Sequence, residues 1–503
     1  MNGRRIAVLD TTLRDGAQAA GAGFTLAEKL ALVQALSLLR VDIIEAGFPA
    51  ASLREFEACS QAVSHLGSRS GAKPAVAVMC RSLPEDIVRC GRALGGAENG
   101  IIHLSLPVSD LHMQAKFKAS RRDMLKKAED AIAFALGHAN AIEMGAEDAT
   151  RADPEFLADY CSCAIRAGAG IVNIADTVGI STPRKMQKLI AFLLERVPGF
   201  ARGAAVLSVH CHNDLGLATA NTLSAIEAGC GQIETSLRGI GERAGNAALE
   251  EIAAVICANA SAFPIETNLN LSKLAEASAL AGKISGLGIP PFRAVWGSTA
   301  SAHASGIHQS GIQKDANTYR AFQSELLGFS GSRTAISQYS GKAGLAAFLK
   351  EYAAIDLSQD PDGSSDAAAQ ILFRIKEEGA ECGLAEILGE LRHAYLYDLP
   401  VLASEVAEDA RTCAQKPIPA LKQTIDAMRS DIEKSGADLP ELSDYSIIQG
   451  PLKARVFLEF RHPCRPEETL AFERTGEDAM DTVQRCFLDA ANSTRALRST
   501  QGS

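Results

Sequence analysis

Eight short, β-rich apolar runs, each followed by an amphipathic helical stretch, fill the first roughly 260 residues, and no other feature narrows the fold as much. They are Ile6–Leu9, Val41–Glu45, Ala75–Met79, Ile101–Leu106, Ala141–Met144, Ile171–Ala175, Val206–His210 and Gln232–Ser236. The alternation predicts a parallel sheet with helices packed outside it. Eight repeats in that length match an α/β fold of the (β/α)8 TIM-barrel type; a doubly wound open sheet is the alternative. Polar residues decide between the two. Arg14, Asp15, Glu45, Glu147, Asp148, Asp176, Thr177, His210 and His212 stand at or just after the ends of these runs. In a barrel those positions share the C-terminal face, where the sites of such enzymes lie, whereas an open sheet would spread them along an edge.

The chain of 503 residues exceeds one barrel of about 250, so appended domains are expected. The reading assigns 1–270 to a catalytic barrel, 271–360 to a linker subdomain carrying a His308 loop, 361–440 to a helical subdomain and 441–503 to a small α+β module. Segments 275–288, 343–355 and 366–379 read as helical, and helices are expected as far as Lys434. The stretch Gln359–Ser365, QDPDGSS, marks a boundary. Lys453–Phe460 alternates Ala454, Val456, Leu458 and Phe460 against mostly polar neighbours, which predicts a half-buried strand. Leu470–Arg474 can pair with it, and Glu477–Ala490 carries a helical apolar face.

A formal net charge of −10, with no Lys/Arg-rich run, argues against nucleic acid or an anionic membrane as partner. The start MNGRRIAVLD enters a strand pattern without a long apolar segment, and no run of about 18 apolar residues follows, so the expected location is cytoplasmic. The twelve cysteines are scattered, some within apolar patterns as Cys80 and Cys257 are, and read as reduced buried thiols. Cys161 and Cys163 stand two apart in a helical stretch, on different faces, which argues against a metal site there.

His210 and His212 stand two apart on a predicted strand, so both imidazoles point to one side, which in a barrel can be the interior. Such a pair suits a divalent metal, although His-x-His alone is more often incidental. Asp15 after strand 1 and Asn246 after strand 8 would add oxygen donors, because strands 7, 8 and 1 are neighbours when the barrel closes. Four ligands would leave two positions for a chelating substrate and water. Arg14 is either a plain ion-pair partner of Asp15 or, if Asp15 holds a metal, a stabiliser of a forming oxyanion. Glu147 and Asp148 are either a solvated strand end or part of the site. The turn Gly239–Asn246 has glycines at 239, 241 and 245 that would let backbone approach a ligand; it is neither a Walker A loop nor a dinucleotide fingerprint. His308, in a glycine-flanked loop, is either a solvated histidine or a general base that swings over a site.

These residues resemble a known family, the DRE-TIM metallolyases, and within it the 2-isopropylmalate, homocitrate and citramalate synthases. The stretches that carry the resemblance are Asp10–Gly16, Ile44–Ser52, Glu147–Arg151, Asp176–Gly179, His210–Leu217, Gly239–Asn246 and Ser305–Gln309. The segment from Tyr445 to Asn492 is similar to the first half of the regulatory domain of 2-isopropylmalate synthases. The resemblance implies an acyltransferase that condenses acetyl-CoA with a 2-oxo acid, 2-oxoisovalerate first, to give a 2-substituted malate and CoA. Homocitrate, citramalate and Re-type citrate synthases are the alternatives, and a retro-Claisen lyase or aldolase is a more distant one. It implies Asp15, His210, His212 and Asn246 as ligands of Mg, Mn, Co or Zn, and Arg14, Thr177, Ser105 and Tyr319 as oxo-acid contacts. It also implies Glu147 and His308 as the pair that prepares the acetyl methyl group, with Gly239, Gly241, Glu242 and Asn246 near the acyl-CoA. A homodimer in which His308 completes the neighbouring site is implied as well.

Three departures bear on the acceptor and its control. Ser105–Asp110, SLPVSD, is closer to homocitrate synthases than to the Ala-Thr-Ser pattern of 2-isopropylmalate synthases. Ala17 and Ala20 replace a common Glu and Pro. The stretch after Tyr445 has room for one regulatory module of two, which argues against feedback by leucine.

Overall fold

The computed structural model describes residues 4–345, apart from 68–72, 262, 289, 298, 330–332, 335–339 and 342–343, together with 442–449, 454–462 and 465–476. The chain divides into two units, Met1–Ser301 with Arg320–Gly331 and Ala302–Tyr319 with Ser332–Ser503.

The first unit is built on eight parallel strands, β1 (Ala7–Asp10), β2 (Ile43–Glu45), β3 (Ala75–Arg81), β4 (Gly100–Pro107), β5 (Ala141–Glu147), β6 (Ile171–Asp176), β7 (Val206–Cys211) and β8 (Gln232–Thr235). They form a closed barrel in sequence order, and β8 returns to pair with β1 from Ala7↔Gln232 to Asp10↔Thr235. Each expected run is one of these strands. The helices outside are α1 (Leu26–Leu39), α2 (Leu53–Gly67), α3 (Pro84–Leu94), α4 (Arg121–Ala135), α5 (Pro154–Ala167), α6 (Pro183–Arg196), α7 (Ala218–Ala228) and α8 (Leu249–Ala258).

Strand periodicity divides the core in two. Ile44, Val76, Val78, Ile102, Leu104, Ile142 and Val209 point outward into the layer shared with the helices. Leu9, Ile43, Ala77 and Ile101 form a separate apolar cluster, an inner plug near the N-terminal ends of their strands. Two residues further along the same strands the inward positions turn polar, at Glu45 and His103, and Glu143, Ser208, His210, Gln232 and Glu234 are likewise buried. An apolar floor under a polar upper chamber is what aims the functional side chains at the C-terminal face. Caps fix where the helices begin: Thr25 and Glu28 form a capping box on α1, and Ser120 and Asp123 form one on α4.

The helix expected at 275–288 runs over Leu274–Ser285 (α9) and stops at Gly286, whose φ of 66° breaks it. In the second unit His308 lies on a helix, α10 (Gly306–Lys314), where a loop was expected. At Gly311 on this helix a β-carbon would stand 2.7 Å from Cε2 of Tyr319. That glycine makes room for the Tyr319 ring. Strands β9 (Leu442–Gln449), β10 (Ala454–His462) and β11 (Arg465–Gly476) form an antiparallel meander. The strand and its partner expected from Lys453 to Arg474 are therefore present, and β9 was not anticipated. The boundary at Gln359–Ser365, the helices of 366–379 and on to Lys434, and the helix Glu477–Ala490 lie outside the described residues, as does most of 343–355. Among the described residues no helix is long and apolar enough to cross a membrane.

Candidate active site

The turn after β1 brings Asp15 over the barrel, because the N–H groups of Asp15 and Gly16 both donate to Thr11 O and the Thr11 N–H donates to Thr235 O on β8. At the end of β7, His210 and His212 face the same interior. Their Nε2 atoms stand 3.2 Å apart and lie 3.5 and 3.9 Å from Asp15 Oδ2. Nδ1 of His210 is 2.8 Å from Glu234 Oε2; a carboxylate only accepts, so this nitrogen carries the proton and the Nε2 lone pair faces the cluster. Burial and repulsion from His210 push His212 down to about 3, which keeps it neutral and able to ligate. Burial opposes ionisation of Asp15, but Arg14, then His210 and His212, hold its carboxyl well below the usual carboxylate range.

Asn246 is brought beside this cluster by an isolated antiparallel bridge to His212. Its buried Oδ1 has no hydrogen-bond partner among the described residues. An orphaned buried oxygen next to two imidazoles and a carboxylate is a donor set that suits a divalent metal, so Asp15, His210 and His212 form a potential metal site that Asn246 can complete.

Glu45, His103 and Glu234 also cluster, but their chemistry is that of an ion network. Glu45 Oε2 accepts from Arg14 Nε at 2.6 Å and Glu45 Oε1 lies 2.8 Å from His103 Nδ1. Burial opposes charge on His103, yet Glu143, Glu45 and Glu234 outweigh it and raise the imidazole to about 9, and a protonated imidazole cannot ligate. Burial works against Glu45 as well, while Arg14 and His103 bring it down to about 2. Arg14 Nη1 donates to Asp15 Oδ2 at 2.7 Å, so one guanidinium ties the network to the metal cluster.

This interior makes stability depend on pH. Burial, aided by Glu234, pushes Glu143 up to about 8, and His103 stands near 9. Both groups bind a proton more tightly folded than unfolded. Their contribution is complete below the ordinary values and is lost as pH rises, from 4.5 to about 8 for Glu143 and from 6.5 to about 9 for His103. The thermal midpoint of the metal-free protein is therefore expected to fall between pH 6.5 and 9. Glu143→Gln should flatten the profile below pH 8, and an unchanged slope in that variant would contradict the assignment.

Glu147, at the end of β5, lines a cavity of about 280 Å³ together with Arg14, Ser105, Phe48, Met79, Leu83, Leu106, Phe117, Arg81 and Lys116. Thr177 is half-buried beside it and its Oγ1 accepts from the Asp148 N–H at 2.8 Å. The glycine-rich turn holds itself together. A β-carbon at Gly241 would stand 2.5 Å from Asn246 Nδ2, and one at Gly245 would stand 2.0 Å from Gly239 O. These glycines let the loop fold around Asn246. The Glu242 N–H donates to Asp15 Oδ1 at 2.9 Å while its side chain is exposed. In the second unit the His308 ring stacks on Tyr319 with centroids 4.1 Å apart.

The barrel brings Arg14, Asp15, Ser105, Glu147, Thr177, His210, His212 and Asn246 to one face; His308 and Tyr319 are together in the other unit. Sequence reasoning passed over His103, Glu143 and Glu234; His103 and Glu143 each follow two apolar residues in their strands, which was the available signal, whereas Glu234 in QIET stands among other polar residues and gave none. His112, Lys116 and Arg151 around Glu147 gave none.

A closed parallel barrel with a carboxylate–imidazole cluster at its C-terminal face defines the class, and the HMGL-like family model matches residues 5–281. A second model, the homocitrate synthase post-HMGL domain-like family, matches residues 295–377. The 2-isopropylmalate synthase of Pyrococcus furiosus is 41% identical over 348 residues, 69% of this chain and 68% of that one. That of Geobacillus thermodenitrificans is 33% identical over 507 residues, 97% and 96% of the two chains. Among solved structures, the hydroxymethylglutaryl-CoA lyase from Pseudomonas aeruginosa aligns with 57% of this chain and 94% of its own at 20% identity, with a TM-score of 0.48. The chain belongs to the 2-isopropylmalate synthases of the HMGL-like superfamily, and is an acyltransferase.

Proposed function

We propose that the chain condenses acetyl-CoA with 2-oxoisovalerate and that water then cleaves the thioester, giving 2-isopropylmalate and CoA. The observation that carries this reading is the buried Asp15–His210–His212 cluster tied through Arg14 to a largely apolar cavity. Asp15, His210 and His212, with Asn246 beside them, would hold a divalent metal, whose chemistry toward a 2-oxo acid is that of a Lewis acid. Arg14 uses Nε on Glu45 and Nη1 on Asp15, and Nη2 takes part in neither pair. It is the group to stabilise negative charge growing on the acceptor's carbonyl oxygen as the new carbon–carbon bond forms. His308 is assigned as the base that takes the proton from the acetyl methyl group, with Glu147 as its partner in that step, acting in a homodimer. Thr177, Ser105 and Tyr319 are assigned to the acceptor, and Gly239, Gly241, Glu242 and Asn246 to the acyl-CoA side.

The cavity supports an apolar acceptor over a dicarboxylate. Phe48, Met79, Leu83, Leu106 and Phe117 line it, and its outer cations are committed, Arg81 to Asp86 at 2.6 and 3.0 Å and Lys116 to Glu147. Free thiol released from acetyl-CoA with added Mg or Mn, across a panel of 2-oxo acids, tests the reading. Release with 2-oxoisovalerate is expected to exceed that with 2-oxoglutarate by about a hundredfold and with pyruvate by about tenfold. Preference for another acid would overturn the acceptor, and no release with any acid would overturn the reaction.

A further inference from the structure

Between β4 and α4 the chain makes one short helical turn, Asp110–His112, and then a π-helical turn, Met113–Phe117. Wider π turns are uncommon and cluster at functional sites. Here the Ser109 side chain caps the segment by accepting from the His112 N–H at 3.1 Å, and Lys118 closes it with a left-handed φ of 49°. The result is that two side chains four residues apart both reach back to one carboxylate. His112 Nδ1 stands 2.7 Å from Glu147 Oε1, and Lys116 Nζ stands 2.8 Å from each Glu147 oxygen.

The proton on His112 can be assigned from its other neighbour. Arg151 Nη2 lies 3.2 Å from His112 Nε2, and a guanidinium only donates, so Nε2 must accept. Nδ1 then bears the hydrogen and donates to Glu147. Arg151 is itself fixed by Asp148, which accepts from its Nε at 2.8 and 3.0 Å and whose own N–H is held by Thr177. The next residue along the chain from Glu147 is therefore the anchor of the histidine that holds Glu147.

We propose that His112 and Lys116 are positioning residues for Glu147: the π turn clamps its carboxylate from two sides at the cavity wall, and Arg151 sets the tautomer of His112 that makes the clamp work. Neither touches the reacting atoms. The inference rests on the reading of Glu147 given under the proposed function. Loosening a carboxylate by a fraction of its working distance is expected to lower kcat about ten- to a hundredfold, while binding of acceptor and metal is left alone.

Two measurements test it. In steady-state CoA release, His112→Ala and Lys116→Met should each lose that much kcat with unchanged Mn affinity by calorimetry and unchanged thermal midpoint, and His112→Ala, which lies outside the cavity lining, should leave the KM for 2-oxoisovalerate unchanged. His112→Asn, whose amide N–H stands where Nδ1 stood, should recover most of the loss. A kcat within about twofold of wild type in both variants overturns the proposal, as does a parallel fall in metal affinity and midpoint that His112→Asn does not repair. Nitrogen NMR of the protein labelled at histidine, with His112→Asn for assignment, should show the Nδ1-protonated neutral ring. An Nε2-protonated or doubly protonated ring overturns the proposal. If the wild type releases no CoA with any acceptor, the proposed reaction fails and the NMR result alone decides the clamp.

Discussion

Asp15→Ala should lower affinity for Mn by more than about a hundredfold while leaving the barrel folded, and CoA release should fall with it. Asp15 is the one carboxylate in the cluster with His210 and His212, and losing even an outer-shell partner of a metal site is worth about 10- to 100-fold. The fold should survive because Arg14 keeps Glu45, 2.6 Å from its Nε, as counter-charge. Calorimetric titration with Mn, alongside a thermal midpoint, separates the two effects. Full metal affinity in the variant would place the metal elsewhere.

Glu45→Ala should have the largest effect on stability. Glu45 is fully buried between Arg14 and His103, whose side chains are 10% and 3% exposed. Removing it takes the shared carboxylate from two buried cations and leaves Arg14 with Asp15 alone, a change that costs about 3–5 kcal/mol. Urea unfolding at pH 7 reads this directly, and a loss under about 1 kcal/mol would mean that the two cations find other partners. The sign with pH follows from the depressed value of Glu45. Its contribution is present above the ordinary 4.5 and fades as pH falls toward about 2, so wild type and variant should converge in acid.

The barrel was legible in the sequence because two local signals agreed: period-two apolar runs, and polar residues collected where those runs stop. The clustering of Asp15, His210 and His212 was legible for a related reason. His210 and His212 share a face by strand geometry alone, and closure of β8 on β1 places Asp15 and Asn246 beside them. The interior network was harder. Glu143 in AIEMGAE or His103 in IIHLSL does not reveal its face until the barrel closes, and only closure brings Glu45, His103 and Glu234 within reach of one another.

Other features depended on contacts no local pattern encodes. The glycines of the turn after β8 and Gly311 in α10 also make room for Asn246 and for the Tyr319 ring, contacts that the sequence pattern did not reveal. The strand β9 lacks clean alternation and is defined by its pairing with β10. The turn that carries Lys116 to Glu147 is π-helical, a geometry for which SDLHMQAKF offers no composition signal.

The central claim is that the reaction centre is the Asp15–His210–His212 cluster at the mouth of the barrel. Anomalous diffraction at the manganese edge, from crystals of the protein grown with Mn, tests it most directly. One strong peak is expected between Asp15 Oδ2 and the two imidazole Nε2 atoms, with Asn246 Oδ1 turned toward it. A peak at the Glu45–His103–Glu234 cluster, or none at either place, would contradict it.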